Sequence, residues 1–175
     1  MHYKITQRED IAEAFIPMTE IQEHTRSYDP HDEELLSVYR LAAISFAETY
    51  MNRVLGICKV KATIENYQSR VYLPLGDVQS VQSVSVDGVD IPYKVNMISN
   101  EVMLGVSNHR LKDFVFDYTV GYEVDQIPPV IKLGILKLIA TWFESREDTS
   151  FGVAATGVPF NNRACFDLYR IPAGG

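Results

Sequence analysis

Residues 72–88 read YLPLGDVQSVQSVSVDG, a run of valines set in Ser and Gln that ends in an Asp-Gly turn. Val84 and Val86 alternate into Asp87-Gly88 and are answered by Val89, Ile91, Tyr93 and Val95, the pattern of a hairpin closed by a tight primed turn. Upstream the period slips: Val78, Val81 and Val84 are three apart, and Pro74 and Gly76 precede them. Tyr72 to Asp77 is therefore expected to be a crossing segment, with the strand proper starting near Val81. No side chain in the stretch offers obvious chemistry, so its expected role is scaffold.

Outward from this hairpin, period two extends over residues 57–122, with β-branched and aromatic residues between turn signals. In DFVFDYTVGY, residues 113–122, Phe114, Phe116, Tyr118, Val120 and Tyr122 fall on one face and Asp117 and Thr119 on the other, as in a sheet packed on one side and wet on the other. Helices flank this block. Thr19 and Gln22 form a capping-box pair for a short helix over about Thr19 to Ser27. Asp29 can cap the next one, with Pro30 at its first position, acidic residues in its first turn and Gly56 just past its end. On that helix Leu35, Val38, Ala42, Ser45 or Phe46, and Thr49 make one apolar stripe. Leu36, Tyr39, Ala43, Ala47 and Tyr50 widen it beyond what one packing partner needs, so two neighbours are implied.

On the far side, Pro128 and Pro129 open IPPVIKLGILKLIATWFESRED, residues 127–148, whose apolar residues cover most of a helix circumference. A helix this apolar requires cover all round, from the chain's own helices or from another subunit. Its residues Leu133, Lys137, Trp142, Glu144 and Arg146 are the candidate subunit contacts, and a charge placed at Trp142 is expected to abolish folding or assembly. Residues 149–162 are rich in small side chains without a period and read as a mobile loop; NRACFDLYR, 162–170, reads as a last short helical piece. The sum is an α+β fold: a small helical bundle with an inserted antiparallel sheet. It is organised as one domain over 1–175, with N-terminal helices in 15–56, the sheet in 57–122, the long apolar helix in 128–148, and loop, short helix and tail in 149–175.

The totals set bounds on function. A length of 175 residues fits one core, and 46% apolar with 22% charged residues is ordinary for a folded protein. The window 131–143 is interrupted by Lys132, Lys137 and Thr141 and is too short to span a bilayer, and MHYKITQRED lacks the apolar core of a secretory signal. A cytosolic chain with no membrane association is expected. Cys58 and Cys165 lie far apart with no CxxC spacing and read as buried small hydrophobes. A formal charge of −7 argues against a general nucleic-acid binder, which needs basic surface to displace counterions, but suits a surface that DNA passes without sticking.

Catalytic patterns are missing from the sequence. His2, His24, His31 and His109 are dispersed, and HExxH, phosphate-binding glycine loops and a GxSxG elbow do not occur. Asp29, Asp32, Glu33 and Glu34 crowd one helix start, where dipole complementarity explains them without a metal. Neither an enzyme nor a cofactor or metal site is expected. Arg70, Arg110, Lys112 and Arg163 are candidate contacts for DNA or an acidic partner.

Taken in order, FIPMTEIQEHTRSYDPHDEELLSVYRLAAISFAETYMNRVLG, VYLPLGDVQSVQSVSVDG, FDYTVGYEVDQIPPVIKLGILKLIATWFESRED, a VP and a closing DLYR resemble the head-tail connector proteins (adaptor, or head completion proteins) of tailed bacteriophages. The likeness is to the longer branch with an inserted sheet, and it covers residues 15–170. The first fourteen residues fall outside it or add an N-terminal strand. The resemblance implies a virion structural protein, made in the bacterial host cytoplasm and located at the head-tail junction. It would form a cyclic homo-oligomer beneath the portal protein, extend the channel for double-stranded DNA without specific binding, and receive a downstream stopper or tail-completion protein. By position it implies portal docking through the segment 158–170, with Phe160, Arg163, Phe166, Tyr169 and Arg170 as candidates. The alternative left open by the residues is a small ligand-binding or hydrolytic α+β protein with a pocket between the sheet and helix 128–146.

Overall fold

The computed structural model describes residues 1–106, 112–145 and 160–172. The described chain falls into two compact units: a β unit of 1–9 and 52–123, and a helical unit of 10–51 and 124–171. The fold is α+β with antiparallel sheets, as the periods predict.

In the β unit, β1 (His2–Arg8), β2 (Cys58–Asn66), β4 (Val78–Val86), β5 (Val89–Asp90) and β8 (Lys112–Val120) form a five-stranded sheet in the order β1-β2-β8-β4-β5. A second sheet holds β3 (Arg70–Tyr72), β6 (Tyr93–Asn96) and β7 (Glu101–Leu104) in the order β3-β7-β6. The alternation in 113–122 decides which face is packed. Phe114, Phe116, Tyr118 and Val120 are buried with Cys58, Val60 and Ala62 of β2, Val84 and Val86 of β4, and Val71 and Val102 of the smaller sheet, so both inner faces feed one core. On the opposite face of the large sheet, Lys4, Lys61, Asp117 and Ser83 lie in one cross-strand row.

Residues 72–88 depart from their expected reading in two instructive ways. The strand starts at Val78 rather than near Val81, and Tyr72 ends β3. Register shifts between Val78 and Ser80 and between Val81 and Ser83 absorb the three-residue spacing, so Val78 and Val84 both turn inward. The turn has the expected primed conformation, with Asp87 and Gly88 both at positive φ, but the hairpin pairs only Ser85 with Asp90 and Val86 with Val89. Pro92 cannot donate to a ladder, and the chain after it pairs in the other sheet, Tyr93 to Asn96 against Leu104 to Glu101.

In the helical unit, α1 (Ala12–Phe15), α2 (Met18–Thr25), α3 (Pro30–Met51), α4 (Pro129–Glu144) and α5 (Phe160–Asp167) are joined by a 3-10 turn at Val124–Gln126. The expected cap of α3 is present: Asp29 Oδ1 accepts from the His31 amide at 2.9 Å. The helix stops at Met51, with Asn52 at φ +54° as its left-handed terminator, so it ends before the expected Gly56. The Thr19 capping box is not formed. Pro17 holds extended dihedrals at the N-cap, the helix begins at Met18, and the Met18 amide is taken up by the Glu13 carboxylate at 3.3 Å.

The two stripes of α3 exchange roles. Leu36, Ala43, Ile44, Ala47 and Met51 are buried, whereas Val38, Ala42, Ser45 and Thr49 of the other stripe are exposed. Small residues at 43 and 47 allow α3 to approach its neighbours closely. Arg40 turns into the same buried side because the Glu13 carboxylate and the Ile16 carbonyl are there to receive it.

Candidate functional site

The candidate contact helix, α4, is anchored on three sides within its own unit, touching α2, α3 and α5. Ile131, Gly134, Ile135, Leu138 and Ile139 are buried. Of the two sources of cover open to this helix, the chain's own helices supply most: Ile131, Ile135, Leu138 and Ile139 are hidden within the same chain. Gly134 marks the tightest place. A Cβ built there would lie 2.8 Å from Cys165 Cβ and 2.7 Å from the Phe166 ring, so α5 can seat on α4 only because that position has no side chain. Lys132 Nζ meets Glu20 at 2.7 Å and ties α4 to α2.

The ten residues singled out in the sequence divide accordingly. Leu133, Lys137 and Glu144 lie on the outward side of α4, Leu133 being 43% exposed, with Leu136 and Ala140 half-buried beside them. Trp142 lies elsewhere: it packs edge-on against Tyr39 and Phe46 of α3, at centroid distances of 6.2 and 6.4 Å, and serves the internal packing of the unit. Arg146 lies outside the described residues, as do His109, Arg110, Glu147, Asp148 and residues 149–159 of the segment expected to be a mobile loop.

On α5, Phe166 is fully buried and holds that helix to α4, so its side chain is core. Arg163 and Arg170 are exposed and Tyr169 is half-buried; the side chain of Phe160 lies outside the described residues. Tyr50 links this segment to α3. Its hydroxyl bonds Asp167 Oδ1 at 2.6 Å, its ring packs on Phe166, and the Arg170 guanidinium sits 5.1 Å from its centroid. The hydrogen bond to Asp167 is the main cause that raises the Tyr50 phenol above its ordinary value.

In the β unit the polar network is structural. Arg53 Nη1 donates to Asp77 at 2.8 Å and to the Tyr122 hydroxyl at 3.1 Å, and burial pushes the Tyr122 phenol up to about 12. Cys58 and Cys165 are both buried. Among the described residues no three His, Cys, Asp or Glu side chains converge to hold a metal ion, and no helix is long and apolar enough to cross a membrane. Arg70, Lys112 and Arg163 are exposed. Charge is divided unevenly: the β unit has nine acidic and nine basic residues, while the helical unit has fourteen acidic and seven basic and so carries the whole −7.

Sequence reasoning missed the outward face of α3, where Val38 is 56% and Leu41 54% exposed. The signal was present: between Leu35 and Tyr50 the only charged residues are Arg40 and Glu48, and both are buried.

No family model matches the chain, and no curated protein matches it. Solved structures do. A chain in the neck of an empty GTA particle, computed with C6 symmetry, is similar with a TM-score of 0.71 at 18% identity, covering 100% of this chain and 98% of that one. Chains from the virion of a native gene transfer agent (GTA) particle and from the neck of a native GTA particle computed with C12 symmetry are similar at 17% identity over the same shares, with TM-scores of 0.72 and 0.71. The fold is shared from end to end.

Proposed function

We propose that the chain is a structural virion protein of the head-to-tail neck, an adaptor that closes into a ring beneath the portal, extends the DNA channel and receives the next tail-side protein. The observation that carries this reading is the end-to-end fold similarity to chains of neck particles, with both partners covered almost completely and neither unit left over. Those necks were computed with sixfold and twelvefold symmetry, which fits a subunit that works as one of many copies. The charge division also suits the role. A subunit without net basic charge lets duplex DNA pass without the counterion release that would hold it in place.

In this reading the outward line of α4, Leu133, Lys137 and Glu144, meets a neighbouring copy. The exposed residues of α5 and its extension, Arg163, Tyr169 and Arg170, meet the portal. Catalysis has no part in it, and the protein acts at the head-tail junction of the particle. The test is cryo-electron microscopy of particles from a host carrying the gene. Density for this fold in a ring between portal and tail is the expected result; particles with complete necks that lack the chain overturn the proposal.

A further inference from the structure

The apolar and charged sides of α3 are inverted relative to a lone soluble helix. From Leu35 to Tyr50 its two charges, Arg40 and Glu48, are buried, and its solvent side shows Val38, Leu41, Ala42, Ser45 and Thr49. That side extends over three turns without a charge. One of its two hydroxyls is taken up by the helix itself: Thr49 Oγ1 donates to the Ser45 carbonyl at 2.8 Å. Such a face is dry in character and small in profile, which favours close approach of a second helix.

We infer that this outward face of α3 is the surface on which the next copy of the chain packs, through the outward face of that copy's α4; the inference rests on the ring proposed above. A ring closed by head-to-tail contacts needs two different surfaces on each subunit, placed away from each other. The helical unit supplies such a pair. α3 and α4 meet in part through Tyr39 and Phe46 against Trp142, and the exposed Val38 and Leu41 of α3 and Leu133 of α4 lie outside that contact. The two faces also match in pattern. Val38, Leu41 and Ser45 are spaced i, i+3, i+7, and so are Leu133, Leu136 and Ala140 on α4. Ridges of equal spacing can interdigitate, with Lys137 and Glu144 left at the rim of the contact.

The test uses the full chain with Val38→Asp and, separately, Ala42→Arg, each compared with the wild type by native mass spectrometry and circular dichroism. Both substitutions lie on the solvent side, so spectrum and melting temperature are expected to stay at wild-type values while rings give way to monomers, with assembly weakened at least about a hundredfold. Partner identity is read by disulfide trapping. Chains carrying Ala42→Cys are mixed with chains carrying Leu133→Cys or Ala140→Cys, and a mixed disulfide in at least one pairing is expected. Rings that persist in both charged variants overturn this inference and leave the proposed function standing. Trapping of Ala42→Cys with itself alone assigns a two-fold α3 contact and also overturns it. A wild type that forms no ring overturns both.

Discussion

Arg40 shows how one buried charge can tie a short segment to the helix beside it. Its guanidinium lies on the buried side of α3 and donates to the Glu13 carboxylate and, at 3.2 Å, to the Ile16 carbonyl, which seats α1 on α3. The hydrogen bond from Arg40, followed by the one from the Met18 amide, holds the Glu13 carboxyl below its ordinary value of 4.5. A lowered carboxylate pKa contributes stability that is complete above the unfolded value and is lost as pH falls through the folded one. Denaturant unfolding of wild type against Glu13→Gln is therefore expected to show a difference at pH 7 that shrinks below pH 4.5. A difference that stays constant down to pH 3 would remove Glu13 as its source. Trp142 makes a second case. Because its ring is half-buried between Tyr39 and Phe46, Trp142→Ala is expected to cost about 2 kcal/mol, less than the 3–5 kcal/mol typical of a fully buried aromatic. Urea midpoints would show it.

Elements were legible where local rules act and obscure where a partner decides. The acidic start of α3, the double proline before α4 and the alternation of β8 appear where the sequence places them, because capping, a fixed φ and a period of two are properties of the chain itself. The burying side of α3 was not legible, since both stripes are apolar and only the neighbours' positions choose between them. Nor was the pairing of Tyr93 to Asn96, a short strand that Pro92 frees to join the second sheet. Of the candidate site, Leu133, Lys137 and Glu144 share one side of α4 as their i, i+4, i+11 spacing requires, while Phe166 is fully buried and Trp142 is half-buried against Tyr39 of α3. The α4–α5 contact provides a test at this scale. Gly134→Ala gains about 1 kcal/mol of helix propensity but forces a methyl against Cys165 and Phe166, at a cost of about 1–3 kcal/mol or more. A net loss of stability is expected in thermal melts; a higher melting temperature would mean that α5 moves aside freely.

At the scale of the whole molecule, a β unit with balanced charge is joined to a helical unit that carries the net charge of −7 and hides most of its most apolar helix. In the proposed ring the uncharged outward side of α3, where Val38 and Leu41 are 56% and 54% exposed, offers more uncovered apolar surface than α4, where Leu133 is 43% exposed. The central claim is that copies of this chain close into a ring. Native mass spectrometry of the purified 175-residue chain measures it most directly. One dominant closed species at a multiple of 19.8 kDa, with no open series growing beyond it, is the expected result; a monomer or dimer at every concentration would contradict ring closure.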